Sequence, residues 1–217
     1  MHYEAFFFDF DGVLADSVEV KTQAFARLFE PHGPEVVARV VAHHRYHGGM
    51  TRVEKFSYYY HEYLGKSLSS KEMVDLCQRF SKLVVDGVVA APEIRGAKEF
   101  LQRWCDRVTC FVVSATPEKE IKEIVKRRGI DVYFKEILGA PTSKKKNLET
   151  LLAEYDLNPS RCCFFGDAES DYLAARTCGM DFYGIVARED APLIRARPEV
   201  RWTNDFTGLE REFGSAL

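Results

Sequence analysis

Phe6-Phe7-Phe8-Asp9-Phe10-Asp11-Gly12-Val13-Leu14-Ala15-Asp16-Ser17 is the stretch whose reading decides the fold. Three consecutive apolar residues, 6–8, have the pattern of a strand buried on both faces. The run ends on two carboxylates separated by one residue. Side chains two apart on an extended chain face the same side, so Asp9 and Asp11 are placed to converge. Gly12 then permits a sharp turn. Two acids just past the carboxyl end of a buried strand occupy the position where open α/β sheets bind ligands. One can act as a nucleophile and the other can carry protons, and together they can share a hard cation such as Mg²⁺. Alone, the same residues also read as a hairpin turn at Asp11-Gly12 capped by Asp9.

Working outward, further strand candidates are residues 108–113, 162–165, 182–186 and 200–202, with amphipathic helix patterns between most of them. Ile121, Ile124 and Val125 mark one helix, Leu148, Leu151 and Leu152 a second, and residues 173–175 a third. This alternation predicts an α/β domain: a Rossmann-like, doubly wound, mostly parallel sheet. Residues 17–90 have a different texture, with four helix patterns and no strand. Phe25, Leu28 and Phe29 form the stripe of the first, and four valines between 36 and 41 mark the second. Capping-box pairs, Thr51 with Glu54 and Ser69 with Glu72, open the third and fourth. The expected organisation is a core of residues 1–16 and 91–217 carrying a four-helix cap, 17–90, with hinges at 15–17 and 90–92.

Three more chemical groups fall at the ends of later elements. Ser114-Ala115-Thr116-Pro117 follows a strand candidate. A hydroxyl there, before a helix starting at Pro117, suits a phosphate, although Thr116 also reads as a simple N-cap. Ser143-Lys144-Lys145-Lys146 precedes a helix. One inward lysine, by pattern Lys144, would hold both a nucleophilic carboxylate and a substrate phosphate, while the others read as a solvated run. Gly166-Asp167 closes another strand candidate, and Asp171 follows at a helix start. Asp167 can complete the oxygen shell of a Mg²⁺ held by Asp9. Asp171 can ligate the metal directly or orient water or Lys144, or it can simply stabilise the first helical turn.

In this order and with these complementary roles, the chain resembles the haloacid dehalogenase-like hydrolase superfamily along its whole length. The likeness is to the phosphatases that insert an α-helical cap after the first strand, a group similar to phosphoglycolate phosphatases and β-phosphoglucomutases. The resemblance implies that Asp9 forms an aspartyl phosphate and that Asp11 protonates the leaving oxygen and then activates water. It implies that Mg²⁺ sits among Asp9, the Asp11 carbonyl and Asp167, with Asp171 nearby, and that Ser114 and Lys144 bind phosphoryl oxygens. Substrate contacts are implied for Gly12, Ala115 and Arg52, the last from the segment Gly49-Met50-Thr51-Arg52. An acid at position 11 fits phosphatases and mutases rather than dehalogenases. Arg52 would grip a second anionic group; otherwise it is a surface residue of a first helical turn.

Composition sets the outer limits. A net charge of −3 over 217 residues argues against nucleic-acid or anionic-membrane binding by bulk charge. No apolar run reaches the ~20 residues that span a bilayer. The first residues show no signal-peptide pattern, and six cysteines without a Cys-x-x-Cys pair suggest reduced thiols and a cytoplasmic protein. His43, His44 and His47 lack acidic or thiol companions and read as a solvated or interface patch. The expected activity is Mg²⁺-dependent hydrolysis of a small phosphorylated metabolite by a monomer or homodimer. The alternatives are a phosphomutase of the same fold or a non-catalytic regulatory protein built on it.

Overall fold

The computed structural model describes residues 3–209 and Phe213. Six parallel strands form one sheet: β1 (Ala5–Phe8), β2 (Thr109–Pro117), β3 (Glu136–Ala140), β4 (Cys162–Gly166), β5 (Asp181–Ile185) and β6 (Trp202–Thr203), in the order β3-β2-β1-β4-β5-β6. β1 lies at the centre, with Phe8 in register with Val112 of β2 and Phe165 of β4. Alternation along β1 sends Phe6 and Phe8 to one face and Phe7 to the other, and all three are fully buried. A buried side chain of this size contributes about 1.5–3 kcal/mol, so β1 anchors both halves of the core.

Helices cover both faces, as parallel sheets require. On the Phe6/Phe8 face pack α5 (Ala97–Trp104) and α6 (Glu118–Arg127), through Phe100, Trp104, Ile121 and Ile124. On the Phe7 face pack α7 (Lys144–Glu154), α8 (Glu169–Thr177) and α9 (Pro192–Ala196), through Leu148, Leu151, Ala175 and Leu193. Leu173, part of the expected apolar stripe of α8, is exposed; its neighbours Ala174 and Ala175 face the sheet instead. The six cysteines form no disulfide among the described residues. No helix of the described residues is long and apolar enough to cross a membrane.

Between β1 and α5 the chain builds four α-helices, α1 (Val18–Phe29), α2 (Pro34–Tyr46), α3 (Arg52–Tyr58) and α4 (Ser70–Ala90). Both expected capping boxes form, at Thr51/Glu54 and Ser69/Glu72. Phe25, Phe29, Phe56, Tyr59 and Phe80 make the aromatic centre of this insert. The two segments joining it to the sheet run side by side: Asp16 N–H donates to the Pro92 carbonyl at 2.9 Å and Ile94 N–H to the Leu14 carbonyl at 3.3 Å.

Two strands depart from the pattern read in the sequence. β3 was not among the strand candidates: it is a five-residue edge strand, most of it only partly buried, so it shows only the two-residue apolar run Ile137-Leu138. β6 comprises Trp202 and Thr203 rather than 200–202, because pairing with Gly184 and Ile185 sets its limits.

Candidate active site

Asp9 follows the last residue of β1, and its N–H donates to the Phe165 carbonyl at 2.9 Å, which fixes its backbone against β4. Gly12 turns the chain with φ +80°; a Cβ there would stand 2.5 Å from Asp167 Oδ2. That approach of backbone to carboxylate is open only to glycine. Asp167 follows β4, and Asp171 occupies the first turn of α8, fully buried, its Oδ2 accepting from Ala168 N–H at 3.3 Å. Of the three consecutive lysines, Lys144 enters the site. Its Nζ lies 2.9 Å from Asp9 Oδ2 and 2.5 Å from Asp171 Oδ1, whereas Lys145 and Lys146 are exposed and face Glu149.

Asp9, Asp167 and Asp171 each offer a carboxylate oxygen, and these atoms lie within 4.8 Å of one another. Burial pushes the Asp9 carboxyl up to about 6 against the opposing pull of Lys144, and burial together with Asp9 and Asp171 pushes Asp167 well up. Asp9 Oδ1 is buried without a hydrogen-bond partner. One lysine does not neutralise three clustered carboxylates. All the donors are hard oxygens, so the cluster fits a divalent cation such as Mg²⁺.

Asp11 faces other partners. Its Oδ1 accepts from Ser17 Oγ at 2.6 Å, and its Oδ2 accepts from Lys21 Nζ and, at 3.3 Å, from Thr116 Oγ1. Burial opposes ionisation, but Lys21 and these hydrogen bonds prevail and hold the carboxyl below its usual range. The Asp11 side chain is therefore not part of the acidic cluster.

Ser114 and Ala115 line the same pocket, with Ser114 Oγ accepting from Thr116 N–H at 3.2 Å. The expected helix start is corrected. Pro117 ends β2 and α6 begins at Glu118, and the Thr116 hydroxyl is drawn to Asp11 and Lys21 instead of capping the helix. The first turn of α6 is occupied by Glu120, whose carboxylate binds Arg52 through both terminal nitrogens and accepts from Ser81 Oγ at 2.6 Å. Arg52 is thus buried rather than a surface residue. It lines the pocket while tying α3 and α4 to α6. A double-mutant cycle with Arg52→Met and Glu120→Leu is expected to give a coupling energy at the upper end of about 0.5–3 kcal/mol, because either single change strands a buried charge. Additive effects on denaturant midpoints would contradict this.

His44 does not belong to a solvated patch, while His43 and His47 are half-buried. His44 is buried against Phe25, and His43 shares a hydrogen bond with the Tyr59 hydroxyl at 3.2 Å. His44, Lys21 and Lys55 line the pocket; the sequence offers Lys55 only as one of several residues of the insert that could set specificity, and it assigns neither Lys21 nor His44 to the site. Lys21 lies one turn beyond Ser17 on α1, a spacing that offered a signal; the placement of His44 and Lys55 depends on helix packing.

A family model described as haloacid dehalogenase-like hydrolase matches residues 3–179. The chain is 26% identical over 213 residues to a phosphoglycolate phosphatase of Mannheimia succiniciproducens, covering 93% of this chain and 94% of that one. It is 25% identical over 197 residues to a phosphorylated carbohydrates phosphatase of Thermotoga maritima, covering 84% and 85%. The crystal structure of β-phosphoglucomutase from Clostridium difficile has the same fold, with a TM-score of 0.78, 18% identity, and coverage of 99% of this chain and 96% of that one. With its parallel sheet and with acids and lysine gathered at the carboxyl ends of the central strands, this chain belongs to the haloacid dehalogenase-like hydrolases.

Proposed function

We propose that the protein is a Mg²⁺-dependent phosphomonoester hydrolase acting on a small phosphorylated metabolite, with residues 17–90 as the cap over its site. The observation that carries this reading is the placement of Asp9: a buried carboxylate between Lys144 and Asp167, beneath a pocket whose roof presents Lys21, Arg52 and Lys55. Relatives named as phosphatases of phosphoglycolate and of phosphorylated carbohydrates support the substrate class.

An Asp9 oxygen attacks phosphorus and forms an aspartyl phosphate as the ester P–O bond breaks. The leaving alkoxide takes a proton from Asp11. Water then attacks the same phosphorus, giving its proton to Asp11 and releasing Asp9 and inorganic phosphate. Lys144 and the Ser114 and Ala115 segment orient the non-bridging oxygens, where transition-state charge accumulates. A divalent cation held by Asp9 and Asp167, with Asp171 adjoining, would neutralise charge between the phosphoryl group and these acids.

Asp11 begins as a carboxylate clamped by Lys21, the form suited to a base. An incoming phosphoryl dianion competes for the same ammonium; as Lys21 turns to it, Asp11 takes up a proton from solvent and enters the first step as the acid. Asp11→Asn is therefore expected to slow single-turnover cleavage of an alkyl phosphate at least about tenfold more than that of an activated aryl phosphate, which needs no proton. Equal slowing of both would remove the acid role.

The reading is tested by phosphate release over a panel of small phosphomonoesters, with Mg²⁺ and after exhaustive chelation. Mg²⁺-dependent release supports it. Release undiminished by chelation, or none from any ester including an aryl phosphate, overturns it.

A further inference from the structure

The insert is fastened to the sheet domain along α4, which runs beside α6. At the end of α4 nearest the sheet, Arg128 Nη1 donates to the Val88 and Val89 carbonyls at 3.0 Å and to the Ala91 carbonyl at 2.7 Å. These residues lead into the joining segment at Pro92 to Ile94, so this end of the helix is held at the joint. Arg127 and Asp86 form an exposed ion pair at 2.7 Å further along. Ser81 stands eight residues before Val89, about 12 Å from it along the helix axis. There Glu120 of α6 receives both terminal nitrogens of Arg52 and the Ser81 hydroxyl. Arg52 Nη1 also donates to Ser81 Oγ at 2.7 Å, and its guanidinium lies 4.7 Å from the centre of the Phe80 ring.

Two spaces meet at this trio. The cavity over Asp9 has a volume of about 60 Å³, and the cleft beside it, bounded by Val53, Cys77, Pro141 and Lys144, about 800 Å³. Arg52, Ser114 and Ala115 line both. Arg52 and Glu120 are 6% and 8% exposed. A buried ion pair is a poor permanent fastening, because apolar residues of similar volume often hold as well or better. It suits a contact that parts and re-forms. Separated, both charges regain water; joined, they satisfy each other and Ser81. An apolar pair has no such second state, since its exposure to water is penalised.

We propose that Arg52, Ser81 and Glu120 form a releasable latch that holds the insert down over Asp9. Its opening lets the insert swing about the joint at 15–17 and 90–92 and unites the cavity with the cleft. The swing carries Arg52 and Ser81 away from Glu120, while Arg128 keeps its carbonyls at the joint. Glu120 lies outside the acidic cluster and is a positioning residue of the insert. The latch goes beyond the phosphomonoesterase reading and stands on this geometry whichever ester is cleaved.

The test reads access to Cys77, which sits one turn before Ser81 on α4, half-buried in the wall of the cleft. The full chain without substrate is labelled by a bulky maleimide and, separately, by iodoacetamide, and each cysteine is followed by peptide mass spectrometry. The ratio of the two rates reports access and cancels any change in thiol ionisation. Glu120→Gln strands the Arg52 charge only while the latch is closed, so the ratio at Cys77 is expected to rise at least about tenfold over the wild type. Half-buried Cys105 and Cys178, away from the cleft, should not change, and buried Cys110, Cys162 and Cys163 should stay protected. Ser81→Ala keeps the charge pair but loses hydrogen bonds, and should raise the ratio about 2- to 10-fold; it carries the test if Glu120→Gln does not fold. A wild-type ratio at Cys77 in a folded variant overturns the proposal. So does labelling of Cys110, Cys162 and Cys163 that rises together with Cys77, because that is general loosening rather than a swing. Phosphate release plays no part in this readout, so the latch and the phosphatase reading fail independently.

Discussion

Asp9→Asn is expected to lower turnover of any phosphomonoester by about 10³-fold or more while the protein stays folded. An amide cannot form the acyl phosphate, and a neutral group is a weaker ligand for a divalent cation. The fold should tolerate the change. The side chain remains isosteric, Lys144 keeps Asp171 at 2.5 Å, and like-charge repulsion with Asp167 and Asp171 falls. The measurement pairs steady-state phosphate release with a thermal melt of the same preparation. Retention of about a tenth of wild-type activity would remove Asp9 as the nucleophile, because losing a covalent nucleophile costs far more than this.

The second large effect falls on stability. Lys144 is the cation within hydrogen-bonding reach of both Asp9 and Asp171, and the two carboxylates in turn raise its own affinity for a proton against the cost of burial. Lys144→Met keeps the length of the side chain but leaves Asp9, Asp167 and Asp171 clustered without it. Removing one partner of a buried ion pair costs about 3–5 kcal/mol. For a chain of this size that is a fall of roughly 6–20 °C in melting midpoint. Saturating Mg²⁺ should recover part of the loss, because a cation bound only by the folded state shifts the equilibrium toward it. A melt unchanged by the substitution in chelator would show that the lysine contributes no net stabilisation. A deficit equal with and without Mg²⁺ would place the cation elsewhere.

The sheet was legible because a parallel strand buried on both faces writes a continuous apolar run, as at Phe6-Phe7-Phe8 and residues 162–165. The helices of the insert were legible through their stripes and capping boxes, which are local events. β3 was not, because an edge strand needs little apolar surface to hold its place. The acidic half of the site was legible for a related reason. Asp9, Asp167 and Lys144 each stand at the end or start of a regular element, so their convergence follows from the strand order of an α/β sheet.

The cationic half of the site could not be read in this way. Arg52 and Glu120 are 68 residues apart, and their pairing turns a candidate substrate ligand into a tie between α3 and α6. Lys55 meets His44 across two helices of the insert, and Lys21 meets Thr116 across 95 residues. No periodicity encodes these distances. By itself the sequence determined the strand that bears Asp9, the lysine that opposes it and the helical character of residues 17–90, because backbone hydrogen bonding and burial act over a few neighbouring residues. The tertiary structure alone decided which cations are consumed by internal carboxylates and that Lys55 faces the pocket without one among the described residues, because that outcome depends on how separately encoded helices pack and on the charges they bring within a few ångströms of each other.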